Sequence, residues 1–382
     1  MFEKESSDKL SCVVATNSLW NAYNFRLNLL RSIKNLGIEV YIIAPIDQTK
    51  ELLKKEGFKI IHINIASHSK NPVKDFSLLL NYYKLIKKIS PKFILGFTIK
   101  PNIYATMASI YLRIPVINNI TGFGSVFLRN SPIKMIIKLA YRIIFKYSFT
   151  IFCQNSEDKK YVLSTLKVNK DNVKLLPGSG VNLKKFDFVP ISKNNSNKFK
   201  FLFIGRLLKA KGVIEYINAA KRILSIRDDI YFKLLGEYDP SNPDSMPKNL
   251  FNSARKYKNI SFLGYKDDVK KTIAESDCVV LPSFSEGSPK SLIESIAIGR
   301  PIIGSNISGI RQILVDERNG YLCEPKDTES LLEAFKKMID TPIEDRIKMS
   351  LECRQIAETK FDESIVIKKY IEQVRKILKY NK

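Results

Sequence analysis

Short apolar runs alternate with helix-period segments along nearly the whole chain, and that alternation limits the fold more than any other feature. The first half places strands at 10–15, 39–44, 59–63, 93–97, 115–120, 149–154 and 173–176. Helices fall between them at 21–36, 50–56, 73–89, 102–112, 133–145 and 157–166, with Gly37 and Gly57 each just past a helix end. Residues 178–198 break the rhythm with Gly178, Gly180, Pro190 and a polar Ser/Asn/Lys run, a linker composition that marks a domain boundary. A second series follows: strands at 200–204, 231–235, 260–263, 278–281 and 301–304, and helices at 213–224, 268–274, near Ile310, 328–339, 343–359 and 363–380. Strands alternating with helices imply parallel βαβ units, so each half reads as a doubly wound α/β sheet. The expected domains are 1–180 and 199–362, with 363–382 as a final helix.

Ligands of such sheets bind beyond the carboxyl ends of the strands. In the second half that edge carries three loops. The stretch 282–294 runs from a buried strand through a Ser/Gly/Pro turn into a helix, with Glu286 on the loop and Glu294 about two turns into the helix. The N–H groups of Gly287 and Ser288, beside Pro289, lie near a helix start, where anions are held. Carboxylates there suit sugar hydroxyls better than phosphate, so the stretch suggests a ligand with both groups; a capped helix with one solvated glutamate fits the spacing equally. The second loop follows Gly205 and holds Arg206 and Lys211, a fork and a point charge able to clamp a diphosphate. The third is Gly264-Tyr265-Lys266. In the first half the same edge offers 17–21, 100–102 and 121–125, where Gly122 and Gly124 permit close backbone approach. Neither G-x-x-x-x-G-K-[ST] nor G-x-G-x-x-G occurs, so ATPase and dinucleotide readings lack their main signal.

Charge narrows the partners. The net charge of +25 calls for an anionic one, and residues 1–190 carry +17 of it. From 60 to 156 there are 13 basic residues and one acidic residue, Asp75. Within that span Lys134, Lys138, Arg142 and Lys146 recur every four residues among apolar neighbours. That pattern fits an interfacial helix on anionic headgroups, or a largely buried helix showing water only its basic stripe. Helix 73–89 adds Lys84, Lys87 and Lys88. No zinc-finger, helix-turn-helix or RNA-binding signature supports nucleic acid. Five scattered cysteines and two histidines read as reduced core thiols and offer no metal set, and no 18-residue apolar run spans a membrane.

Glu286 and Glu294, eight positions apart, with Gly205-Arg206, Lys211 and Leu281-Pro282-Ser283, resemble the retaining nucleotide-sugar glycosyltransferases of family 4. The stretches 120–127 and 152–155 resemble the branch that acts on polyprenyl-diphosphate-linked sugars in bacterial surface-glycan assembly (capsule or O-antigen). The resemblance implies the GT-B fold: two Rossmann-like domains facing a central cleft, with the last helix crossing back to the first domain. It implies that Arg206, Lys211 and Glu286 form the catalytic set, the two cations on the donor diphosphate and the carboxylate on the sugar. Glu294 would hold the ribose, and Gly122, Gly124, Gly205, Gly264, Tyr265, Gly287, Ser288 and Pro289 would complete the donor site. The donor would be a UDP-sugar carrying an N-acetylhexosamine or a hexose, with no metal or other cofactor. The acceptor would be a polyprenyl-diphosphate-linked saccharide, met by Lys134, Lys138, Arg142 and Lys146 at the inner face of the cytoplasmic membrane. Two departures stand out: Thr121 occupies the place of a frequent family histidine, and Asn17-Ser18-Leu19-Trp20 replaces a glycine-rich phosphate loop. Other readings are another GT-B enzyme, such as a nucleotide-sugar 2-epimerase or soluble glycosyltransferase, and a non-catalytic anionic-lipid binding module.

Overall fold

The computed structural model describes residues 10–65, 72–122, 132–192 and 198–380. The chain divides into two compact units, one formed by 1–179 with 364–382 and the other by 180–363.

Unit 1 is built on strands β1 (Ser11–Ala15), β2 (Glu39–Ala44), β3 (Lys59–His62), β4 (Phe93–Phe97), β5 (Val116–Ile120), β6 (Thr150–Cys153) and β7 (Val173–Leu175). They pair in parallel in the order β3-β2-β1-β4-β5-β6-β7. Helices α1 (Leu19–Lys34), α2 (Lys50–Lys55), α3 (Pro72–Ile89), α4 (Ile99–Leu112), α5 (Pro132–Ile144) and α6 (Ser156–Thr165) connect them. Successive residues of β1 face opposite sides. Cys12 and Val14 pack with Leu29, Leu30 and Ile33 of α1, whereas Val13 and Ala15 pack with Leu78, Tyr82 and Ile86 of α3. Because helices cover both faces, the central strands are buried throughout and read as continuous apolar runs.

Unit 2 contains β8 (Phe199–Ile204), α7 (Val213–Leu224), β9 (Ile230–Leu235), α8 (Lys248–Ala254), β10 (Ile260–Gly264), α9 (Lys270–Ala274) and β11 (Cys278–Leu281). It continues with α10 (Lys290–Ile298), β12 (Ile302–Ser305), α11 (Ser308–Arg311), β13 (Gly320–Cys323), α12 (Thr328–Asp340) and α13 (Ile343–Ile356). Its strands lie in the order β10-β9-β8-β11-β12-β13. Phe201, Tyr216, Phe232 and Phe335 form an aromatic cluster that joins β8, α7, β9 and α12.

Two elements, α8 and β13, go beyond the sequence reading; the first is seven residues long and the second only four. Residues 180–192, which read as linker, are largely packed in unit 2. Val181 bridges to Asp362, Phe186 joins the core, and Val189 bonds to Ile298 and Arg300. The last helix, α14 (Glu363–Tyr380), packs in unit 1 as the sequence resemblance implies. Val366, Tyr370, Val374 and Ile377 are in the core, and Asn119 Nδ2 donates to the Tyr370 hydroxyl at 2.6 Å. All five cysteines are buried and unpaired, and burial pushes their thiols up, that of Cys323 to about 12.

Candidate active site

In unit 2 the strand order reverses between β8 and β11, so the chain leaves these neighbours in opposite directions and a crevice opens beyond their carboxyl ends. The loops that follow the two strands carry Arg206 with Lys211, and Glu286. Their proximity follows from backbone fit. Gly212, at φ +73°, ends the turn Lys209–Lys211 and starts α7; a Cβ there would lie 2.0 Å from the Pro282 carbonyl oxygen. Phe284 N–H donates to the Ala210 carbonyl at 2.9 Å, joining the loops directly. Lys211 Nζ then reaches Glu286 Oε1 at 2.5 Å, with the side chains 25% and 11% exposed. Arg206, on the same loop, is exposed and makes no ion pair among the described residues.

The Glu286 loop is also held from below. A Cβ on Gly309 would lie 2.2 Å from the Glu286 carbonyl oxygen, and Gln312 Nε2 donates to the Gly287 carbonyl at 3.1 Å. Gly212, Gly309 and Gln312 are the supporting residues that sequence reasoning missed. Gly212 had a local signal, a glycine directly before a helix. The other two pack from a segment more than 20 residues downstream, beyond the reach of any spacing argument.

Pro289 precedes α10, whose first turn has neither an acidic residue nor a side-chain cap. The hydroxyls of Ser283 and Ser288 are buried without a hydrogen-bond partner among the described residues. Glu294 lies one turn into α10, because the helix starts at Lys290, and not two turns in as the sequence suggested. Its carboxylate is 3.6 Å from Lys290 Nζ and 12% exposed. Burial raises its pKa, with Lys290 and Lys185 opposing that shift. The two glutamates therefore have different lysine partners. Gly264 has φ +67° and open space around its Cα, and its carbonyl accepts from Gly236 N–H. Tyr265 is half exposed, with its hydroxyl donating to Asp267 at 2.9 Å. Gly205 N–H donates to the Leu235 carbonyl at 3.0 Å.

In unit 1, Gly122 ends the described segment at φ +99°, and Gly124 lies outside the described residues. Helix α5 corrects one of the two sequence alternatives. It is not a buried helix showing only a basic stripe: Met135, Ile136, Leu139 and Ile143 are 49–71% exposed, beside exposed Lys138 and Arg142. Tyr141 and Ile144 form its inner face. Lys134 is half-buried at the helix start, and Lys146 follows the helix end, exposed beside Tyr147. Asp75 is bound to Lys100 at 2.7 Å, so the acidic exception in this basic span is neutralised internally.

Residues 184–358 match the family described as glycosyl transferases group 1, and residues 12–155 match glycosyl transferase 4-like. The chain belongs to these glycosyltransferases. Over 94% of its length this glycosyltransferase is 25% identical to N,N'-diacetylbacillosaminyl-diphospho-undecaprenol alpha-1,3-N-acetylgalactosaminyltransferase of Campylobacter jejuni, covering 96% of that protein. It is 27% identical to the UDP-Gal:alpha-D-GlcNAc-diphosphoundecaprenol alpha-1,3-galactosyltransferase of Escherichia coli, over 71% of this chain and 72% of that one. A glycosyltransferase structure from Rickettsia africae superposes with a TM-score of 0.78 at 20% identity, over 98% of this chain and all of the other. The fold is thus the GT-B type that the resemblance implied. Among the described residues no cluster of three or more His, Cys, Asp or Glu side chains is placed to hold a metal.

Proposed function

We propose that this glycosyltransferase moves a sugar, with retention, from a UDP-sugar to a polyprenyl-diphosphate-linked saccharide in surface-glycan synthesis. The observation that carries the reading is the Lys211–Glu286 contact at the switch point of unit 2, beside exposed Arg206. A lysine and an arginine on one loop hold the donor diphosphate and stabilise the charge that grows on it as the glycosidic bond breaks. Glu286, fixed by Lys211, accepts hydrogen bonds from the sugar hydroxyls. Glu294 takes the ribose hydroxyls, and the N-terminus of α10 faces the phosphates. No protein nucleophile is assigned; the leaving diphosphate and incoming hydroxyl share one face of the sugar. The activities for which the Campylobacter and Escherichia relatives are named support a lipid-diphosphate acceptor, and the second supports a UDP donor.

The exposed face of α5 supports work at a membrane surface. Apolar side chains enter the headgroup boundary while Lys138, Arg142 and Lys146 meet anionic lipid. No helix among the described residues is long and apolar enough to cross the bilayer. The donor assignment is tested by thermal shift with a panel of UDP-sugars and UDP. UDP should raise the melting temperature of the parent, and Arg206→Ala and Glu294→Gln should each lose most of that rise. Equal rises in parent and variants would remove the assigned donor site.

A further inference from the structure

The loop between β9 and α8, residues 239–247, is left without a role by the proposed donor site and the membrane face, yet it is hydrogen-bonded turn by turn. Asp239 Oδ1 accepts from the Ser241 N–H at 2.9 Å and from the Ser241 hydroxyl at 2.6 Å. Asn242 Oδ1 accepts from the Asp244 N–H at 2.9 Å. The Asn242 N–H donates to the Asp239 carbonyl at 3.2 Å, and the Ser245 N–H to the Asn242 carbonyl at 2.9 Å. Asp and Asn side chains that bond backbone two residues on are what folds this Pro/Asp/Ser stretch into consecutive turns. The base of the loop is closed too. Tyr238 stacks on Phe251 of α8 with ring centres 4.2 Å apart, and Phe251 packs on Phe262 of β10.

What the loop grips is the segment after β8. Met246 N–H donates to the Leu207 carbonyl at 2.9 Å, and Lys209 N–H donates to the Asp244 carbonyl at 2.8 Å. Leu208 and Ser245 form an antiparallel bridge between these bonds. Lys209 Nζ adds a bond to the Pro243 carbonyl at 3.3 Å. Leu207 and Met246 are both buried in the core of unit 2, which anchors the contact. The Leu207 N–H donates to the Glu237 carbonyl at 3.1 Å, so the β9 side of the loop holds this residue as well. Arg206 directly precedes the gripped residues, and Lys211 directly follows Ala210, which Phe284 holds from the other side. The guanidinium is exposed, so where it reaches is set by where its backbone is aimed.

We propose that residues 239–246 are a positioning strap for the loop that carries Arg206 and Lys211, with Asn242 as its principal positioning residue. Asn242 orients the Asp244 peptide, whose carbonyl takes the Lys209 N–H, and so acts through the two cations without touching the donor. The inference rests on the reading of Arg206 and Lys211 as diphosphate ligands. Without the strap the Leu207 carbonyl and the Lys209 N–H turn to water, and the two cations no longer converge on one diphosphate. A displacement of about 1 Å is enough to cost on the order of a hundredfold in a site of this kind.

The test is a mutant cycle on the full chain, read as UDP affinity by calorimetry well below the melting temperature. Asn242→Ala removes the acceptor that fixes Asp244. The expected result is about tenfold weaker UDP binding than the parent, part of what full misplacement costs. In a chain that already carries Arg206→Ala, the same change should cost less than about threefold, because residues that act through one another do not add. A merely structural role would lower the melting temperature alike in both chains and leave no such difference in affinity. Parental affinity in Asn242→Ala, or an equal loss with and without Arg206, overturns the proposal. Arg206→Ala alone separates the two readings. If it binds UDP as the parent does, the donor assignment fails and the strap with it; if it binds weakly while Asn242→Ala binds normally, only the strap fails. Should Asn242→Ala not fold, Pro243→Gly loosens the same turn and is read in the same cycle, with the same outcomes.

Discussion

Lys211→Met separates the structural use of the Lys211–Glu286 pair from its catalytic use. The parent pair is 2.5 Å apart and mostly shielded, with Glu286 only 11% exposed. Removing the ammonium leaves a desolvated carboxylate without its partner, which costs on the order of 1–3 kcal/mol of stability. Adding Glu286→Gln removes the stranded charge and should return most of that loss, since a neutral pair of similar shape carries no desolvation penalty of this kind. Activity should behave differently. If Lys211 stabilises the departing diphosphate, its loss costs about 3–4 kcal/mol of transition-state energy, a fall of roughly 10²–10³ in kcat. The double variant should stay at least as slow although its stability recovers, because Glu286→Gln also takes the carboxylate from the sugar. Urea unfolding gives the first quantity and label transfer from a UDP-sugar the second. Recovery of activity together with stability in the double variant would refute the catalytic role and leave the pair as a structural clasp.

Gly212→Ala should destabilise unit 2 by roughly 2–4 kcal/mol in urea unfolding, because the added methyl meets the Pro282 carbonyl and φ is +73°. Asp158, near the start of α6, is pushed up to about 6, first by burial, with Asn155 opposing and Glu157 adding to the shift. A carboxyl raised in the folded state favours folding most below its ordinary value of 3.8, and that stability is lost as pH rises through about 6. Asp158→Asn should therefore be more stable than the parent at pH 7.5, by up to about 3 kcal/mol, and the gap should close toward pH 4 in melting scans. Flotation with anionic vesicles should fall when Met135, Ile136 and Leu139 become Ser, and further when Lys138 and Arg142 become Glu. Unchanged flotation would remove α5 from the membrane contact.

Much of the fold was legible because parallel strands covered on both faces read as unbroken apolar runs, and amphipathic helices separate them. The exceptions have local causes: β13 is a four-residue edge strand, and α8, at seven residues, is too short for Leu250, Phe251 and Ala254 to stand out as a helical period. The loops of the proposed donor site were legible as strand-to-helix turns bearing charge. What seats them was not, since Gly309 and Gln312 act through backbone approach across the sheet edge. The basic spacing of α5 was equally visible, but nearly every position between the cations is apolar. Only the packing of α4 and the sheet beneath it decides that Tyr141 and Ile144 turn inward while Ile136 and Leu139 face out.

The central claim is a sugar transfer from a UDP-sugar onto a saccharide linked to a lipid diphosphate. Its most direct test is incubation of the purified chain with radiolabelled UDP-sugars, a polyprenyl-diphosphate-linked saccharide and anionic vesicles, followed by solvent extraction and NMR of the product. The account predicts label in the lipid fraction, an anomeric configuration equal to that of the donor, and little transfer by Arg206→Ala. Product of inverted configuration would contradict retention, and transfer by Arg206→Ala at the parental rate would contradict the site.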